Sequence, residues 1–199
     1  MLICIEGLTN SGKTTLCKNL LSELPLCYIN GLMHNDIVSG NISKITHPIE
    51  NENAFDIGTE LLLYSTILSQ KAHHIKKNIC KDQVLLVDRF ALSVYAQFSI
   101  YPFFDNDFIK NLLAFSSSNI VPDLTIFLDI DLKSILARSS DSPFSRKDIS
   151  LPQNFEQMRK AYLSNINSFS KDYVVVDCRN ETADDITRKV KEIIEKYIN

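Results

Sequence analysis

Gly7-Leu8-Thr9-Asn10-Ser11-Gly12-Lys13-Thr14 fits the pattern GxxxxGK[ST] and lies between a short apolar run, Leu2 to Glu6, and a helical pattern that begins at Lys13 and runs to about Leu24. A strand, a glycine-bearing loop and a helix in that order are what the pattern needs to hold phosphate. Glycine permits backbone angles that turn successive N–H groups inward, and the N-terminus of the following helix adds partial positive charge. Lys13 is placed to reach the β- and γ-phosphates of a nucleoside triphosphate, and the Thr14 hydroxyl to ligate Mg²⁺. Glycine is scarce, with five in 199 residues, about a third of typical usage. Two of those five, Gly7 and Gly12, occupy the two positions that the loop demands.

Further along the chain, Leu26 to Ile29, Val84 to Asp88, Leu124 to Ile130 and Tyr173 to Asp177 repeat the character of the first apolar run. They are short and lack polar alternation, as expected of strands buried on both faces. Helical periods separate them: Ile57, Leu61, Tyr64, Leu68, Ala72, Ile75 and Ile79 fall on one stripe, and Ile186, Val190, Ile193, Ile194 and Tyr197 on another. Thr182 and Asp185 have capping-box spacing at the start of the second. Strands alternating with helices predict an α/β fold of three layers, with a five-stranded parallel sheet covered by helices on both faces, because parallel strands require crossovers. Ligands in such folds bind at the carboxyl ends of the strands. No repeat or linker divides residues 1–199, so one domain is expected. The polar stretch Asn30 to Phe55 is expected to be loop, and residues 139–151, within Arg138 to Leu151, a small lid.

The third apolar run ends in Asp88-Arg89-Phe90. At the end of a parallel strand Asp88 faces the same crevice as the phosphate loop, where it can hold Mg²⁺ through water while Arg89 bridges phosphates. In a different fold the same aspartate would simply cap the next helix. No NKxD tetrapeptide and no LSGGQ segment occurs, which leaves a compact P-loop kinase among the nucleotide-binding classes. The net charge of −3, with six arginines and fifteen lysines dispersed along the chain, excludes a polyanion-binding face, so neither nucleic acid nor a membrane surface is expected as partner. Cys4, Cys17, Cys27, Cys80 and Cys178 are odd in number and have no CxxC spacing. They read as reduced thiols in a cytoplasmic protein. His73 and His74 are adjacent on a helix and so point about 100° apart, a poor start for a metal site.

The ordered set of motifs resembles the thymidylate kinase family of nucleoside monophosphate kinases. Ile5 to Thr15 (IEGLTNSGKTT), Asp88 to Ala96 (DRFALSVYA), Pro122 to Asp129 (PDLTIFLD), Phe155 to Leu163 (FEQMRKAYL) and Tyr173 to Asp177 (YVVVD) are each similar to a segment of that family, in the family's order. The resemblance implies ATP as donor and Mg²⁺ as its metal, with Gly7, Leu8, Thr9, Asn10, Ser11, Gly12, Lys13, Thr14 and Thr15 cradling the phosphates and Arg138 near the adenine. It implies catalytic roles for Lys13, Asp88, Arg89 and, from the lid, Arg146, with Thr14 and Asp88 on the metal. On the acceptor side it implies Tyr64 as the platform for the base, joined by Arg89, Ser93 and Gln97. It also implies a small nucleotide as substrate, dTMP converted to dTDP, and a homodimer packed through the helix of residues 57–79.

Three positions and one stretch depart from the family pattern. Leu68 stands where the family has an arginine that reads the base, and Asn30 to Pro48 contains no arginine. Thr9 replaces a common acidic residue, and Asn10 a position where some members carry a catalytic arginine. These departures keep two alternatives in view: a kinase for a nucleoside or another small alcohol, with Glu6 or Asp88 as base, and a nucleotide-binding regulator with a decayed acceptor site.

Overall fold

The first strand, β1 (Leu2–Gly7), is buried along its whole length, and the sheet is assembled around it. In the computed structural model, which describes residues 1–30, 38, 40–42, 56–79, 83–138 and 152–198, four further strands follow: β2 (Cys27–Ile29), β3 (Leu85–Asp88), β4 (Leu124–Asp129) and β5 (Asp172–Asp177). All pair in parallel, in the order β2-β3-β1-β4-β5. Isoleucine, valine and leucine in β1, β3 and β4 are shielded on both sides, which suits their β-branched and apolar composition. The strand pattern expected from the sequence is therefore present.

The departures are at the two edges: Cys27 and Tyr28 of β2 are half-buried, and β5 departs further. Its apolar run predicts burial on both faces, but it is an edge strand, with Tyr173 and Val175 43% and 41% exposed and only Val176 buried. An apolar run does not say where in a sheet it will lie, and the last strand has a neighbour on one side only. The expected loop of Asn30 to Phe55 is described only at residues 30, 38 and 40–42, of which 38 and 40–42 are helical. Residues 139–151, and with them Arg146, lie outside the described residues.

The helices are α1 (Lys13–Glu23), α2 (Ile57–Asn78), α3 (Ala91–Phe98), α4 (Asn106–Ser116), α5 (Leu132–Arg138), α6 (Pro152–Asn165) and α7 (Ala183–Ile198). Packing sorts them: α1 and α7 meet on one face, and α2, α3, α4 and α6 contact one another in the other layer. Right-handed crossovers require this split, because the chain moves one way from β1 to β2 and the other way through β3, β4 and β5. Local chemistry starts several helices. Asp56 accepts from the Gly58 and Thr59 N–H groups at the head of α2, Asp105 from Phe108 at α4, and Thr182 and Asp185 bond reciprocally at α7. The reversal between the first and later crossovers opens a crevice at the carboxyl ends of β1 and β3, which pair with Ile5 opposite Asp88.

Candidate active site

The phosphate loop leaves β1 at Gly7, whose φ of +149° suits glycine. A Cβ there would lie 2.9 Å from the Leu128 carbonyl oxygen and 2.8 Å from Ser11 Oγ, so space as well as conformation demands glycine. Gly12, at φ +98°, caps the N-terminus of α1 in a left-handed conformation. Inside the loop the Lys13 amine donates to the Leu8 carbonyl oxygen and, at 3.0 Å, to Ser11 Oγ. Burial, and then the charge of Arg89, hold that amine well below the usual lysine range. A desolvated cation in a curve of backbone N–H groups has a strong incentive to take an anion.

Across the crevice, Asp88 ends β3. Its Oδ2 accepts from Thr14 Oγ1 at 3.3 Å, and its Oδ1 is buried with no hydrogen-bond partner. A buried carboxylate oxygen without a partner, beside a threonine hydroxyl at the start of the α1 helix, is a donor set of hard oxygens that fits Mg²⁺. Asp88 does not cap the next helix. That work falls to Glu6, which accepts from the Phe90 N–H at 2.8 Å, from the Ser93 N–H at 3.3 Å and from the Ser93 hydroxyl. Burial raises the Glu6 carboxyl above its ordinary range, and these hydrogen bonds oppose the rise.

Arg89 sits at φ +60°, a left-handed conformation that is unfavourable for a residue with a Cβ. Its N–H donates to the Ile5 carbonyl at 2.9 Å. Its Nη1 donates to the Gly7 carbonyl at 3.0 Å and lies 3.4 Å from Ser93 Oγ and 3.5 Å from the Tyr162 hydroxyl. The Tyr162 hydroxyl also donates to Ser93 Oγ at 2.9 Å. Lys71, on α2, donates to the carbonyls of Asp88 and Arg89 at 3.0 and 2.8 Å, and burial lowers its amine to about 8.

Of the residues expected from the sequence, Gly7 to Thr15, Asp88, Arg89 and Ser93 are brought together. Arg138 joins them from α5, donating to the Ser11 carbonyl at 3.3 Å and to the Cys178 and Glu181 carbonyls at 2.8 and 3.4 Å. It thereby ties the phosphate loop to the turn after β5. Tyr64 and Gln97 are buried, at 8% and 7% exposure, and the Tyr64 ring lies tilted against Phe98 with centroids 5.8 Å apart. Leu68 belongs to the hydrophobic core. Three further residues hold polar contacts around the site without a role expected from the sequence: Lys71 and, within the segment Phe155 to Leu163, Tyr162 and Arg159, whose guanidinium forms a two-pronged ion pair with Asp129 at 2.6 Å on each arm. A signal existed for Lys71, which falls on the apolar stripe of α2, seven residues after Tyr64 and four before Ile75.

Known proteins are similar to this chain along most of its length. The family model described as thymidylate kinase matches residues 5–190. The chain is 28% identical to a thymidylate kinase of Leuconostoc mesenteroides over 205 residues, covering 97% of this chain and 96% of that one. It is 29% identical to a thymidylate kinase of Anoxybacillus flavithermus, with 96% of each chain covered, and 26% identical to a probable thymidylate kinase of Methanococcus aeolicus, over 98% of this chain and 97% of that one. Its fold is similar to the solved thymidylate kinase of Candida albicans, with a TM-score of 0.71 and 23% identity over 98% of this chain and 91% of that one. With the phosphate loop, the Asp88–Arg89 turn and α6 all inside the matched span, the chain belongs to the thymidylate kinase family.

Proposed function

We propose that this enzyme transfers the γ-phosphoryl group of ATP to the 5′-phosphate of dTMP, giving dTDP and ADP. The observation that carries the reading is the crevice between β1 and β3. There the buried Lys13 amine, the unpartnered Oδ1 of Asp88 and the Arg89 guanidinium converge on one phosphate loop. Such a transfer asks little covalent chemistry of the protein and relies on positioning and charge stabilisation. The loop's N–H groups and Lys13 hold the donor phosphates, Arg89 spans donor and acceptor phosphates, and Arg138 sets the loop against the turn where the adenine rests. Arg146, outside the described residues, takes the catalytic role on the donor phosphates that the family resemblance implies. Thr14 and Asp88 would hold Mg²⁺, which when bound neutralises charge on the phosphate oxygens. Tyr64, Ser93 and Gln97 form the acceptor side.

Reaction at a phosphate needs no base to strip a hydroxyl proton. That favours a monophosphate acceptor over a nucleoside, since of the two candidate bases Glu6 is already committed to the head of α3 and Asp88 is assigned with Thr14 to the metal. The free thiols Cys4, Cys17, Cys27 and Cys178 fit a cytoplasmic setting. No helix among the described residues is long and apolar enough to cross a membrane.

We also expect a homodimer through α2. Its apolar stripe is turned into its own core, so the pairing face is the outer one, marked by Leu62 at 58% exposure. Light scattering on the wild type and on Leu62→Glu tests this, and a monomeric wild type contradicts it.

The acceptor is tested by a coupled ADP-release assay across dTMP, dUMP, the other monophosphates and free nucleosides. The expected result is the highest kcat/KM for dTMP. Turnover of nucleosides alone, or ATP binding with no acceptor-stimulated turnover, overturns the reading.

A further inference from the structure

Lys71 is among the most deeply buried side chains in the molecule, 2% exposed, on a helix whose other buried residues, Leu61, Tyr64, Ile67, Leu68, Ala72 and Ile75, are apolar apart from Ser65. An ammonium among apolar side chains is unfavourable unless its hydrogen bonds are met. Here backbone meets them: Nζ donates to the carbonyls of two consecutive residues, Asp88 at 3.0 Å and Arg89 at 2.8 Å. In a regular strand successive carbonyls point to opposite sides. The left-handed Arg89, φ +60°, turns both to one side, where a single cation reaches the pair.

This turn is the one that aims the two side chains facing the phosphate loop. Backbone strain of this kind persists only where its surroundings hold it from several directions. β1 supplies two of them, through the Arg89 N–H on the Ile5 carbonyl and the Phe90 N–H on Glu6. Lys71 supplies the grip on the two carbonyls. Released from it, the turn no longer has a cation that favours both carbonyls on the α2 side, and the Asp88 carboxylate and Arg89 guanidinium lose their fixed spacing from Thr14 Oγ1 and the Gly7 carbonyl.

We propose that Lys71 is a positioning residue for phosphoryl transfer, a cation on the far side of the sheet end that locks the Asp88–Arg89 turn by its two carbonyls. It touches neither nucleotide and acts through those two residues. The inference rests on the kinase reading for its rate consequence but not for its structural one.

The test uses Lys71→Met, which keeps length and apolar packing and removes the donors, alongside Lys71→Arg, which keeps donors and charge. Misplacing reacting groups by about an ångström costs on the order of a hundredfold, so Lys71→Met is expected to lower kcat for dTMP by about thirty- to a hundredfold. KM for ATP and dTMP should stay within about threefold, because the alignment it disturbs matters mainly in the transition state. Its melting temperature should change by no more than a few degrees, since the loss of a buried charge offsets the two carbonyls left without their donor. Lys71→Arg should recover much of kcat. A purely structural lysine would instead lower stability and leave the turnover of the folded enzyme unchanged, and a Lys71→Met kcat within twofold of wild type overturns the proposal. Independently of any acceptor, the Arg89 side-chain Nε–H resonance should shift or broaden in Lys71→Met. An unchanged resonance overturns the proposal even if the wild type proves to use another acceptor, and failure of wild type on dTMP alone overturns only the choice of acceptor. If Lys71→Met does not fold, Lys71→Gln, which keeps an amide donor without charge, takes its place; a folded variant with kcat lowered about tenfold or more and KM unchanged supports the proposal, and kcat within about twofold of wild type rejects it.

Discussion

The mouth of the sheet between β1 and β3 and its outer edge at β5 both gather charge, yet they are built in opposite ways. At the mouth, Glu6, Lys13, Lys71 and Asp88 are all 5% exposed or less, and they bond to the backbone of Leu8 in the phosphate loop, of Asp88 and Arg89 in the turn, and of Phe90 and Ser93 at the head of α3. At the edge, Arg179 pairs with Asp177, Lys189 with Glu181 and Arg188 with Asp185, all with substantially exposed side chains. Charges in water are screened and contribute little, whereas charges out of water must be matched and dominate whatever they face. The difference teaches that this fold concentrates its electrostatic strain where phosphate is to arrive and leaves the rest of its surface with near-neutral pairs.

The sharpest way to break that comparison is Lys13→Ala. Loss of a donor aimed at the transferring phosphate should lower kcat by about 10²–10³-fold. The melting temperature should hold or rise, because the amine is desolvated in the folded protein. A variant with normal turnover would place the mouth and the edge in the same class. Next comes Glu6, the carboxylate that caps α3 from β1. Glu6→Ala leaves the buried Phe90 N–H and the half-buried Ser93 N–H without their acceptor, at about 1–3 kcal/mol for the first and less for the second, so denaturant melts should show a loss of about 2–4 kcal/mol. Glu6→Gln keeps an acceptor and should lose about half of that or less. Equal losses in the two variants would show that the charge of Glu6, not its hydrogen bonds, sustains the turn.

Between the two regions lies the Arg159–Asp129 pair, which links α6 to the end of β4 with side chains 31% and 11% exposed. Its two-pronged geometry lifts it above an exposed ion pair and its partial exposure keeps it below a buried one, so Arg159→Ala should destabilise by about 1 kcal/mol. The smallest effect belongs to the edge. The hydrogen bond from Arg179 holds the Asp177 carboxyl down at about 2. The stability it contributes is therefore complete above the usual carboxylate range near 4 and is lost as the pH falls through about 2. Asp177→Asn should remove that acid-side slope from a plot of melting temperature against pH, and only slightly, because the pair is exposed. A large change would put the edge on the same footing as the mouth.

Much of this is legible in the sequence, for reasons that can be named residue by residue. The phosphate loop is readable because its glycines and Lys13 are contiguous, and β1, β3 and β4 because a strand buried on both faces leaves an unbroken apolar run. β5 looks the same in composition, and its edge position becomes visible only once the order of strands is known. The helix α4 gives no clean stripe, since Phe108 and Phe115 face outward at 54% and 81% exposure while Ile109 and Leu113 face inward. Glu6 as the cap of α3 joins residues 84 apart, a pairing that no local pattern announces. Lys71 interrupts an apolar stripe and reads as noise until the carbonyls it holds are seen.

The most direct test of the central claim, that the mouth between β1 and β3 is a phosphoryl-transfer site for dTMP, is phosphorus NMR of the wild-type enzyme with ATP, dTMP and Mg²⁺. The account predicts that dTDP and ADP resonances grow together in equal amounts while free phosphate stays flat. Accumulation of inorganic phosphate with dTMP unchanged, or an unaltered ATP spectrum, would contradict it.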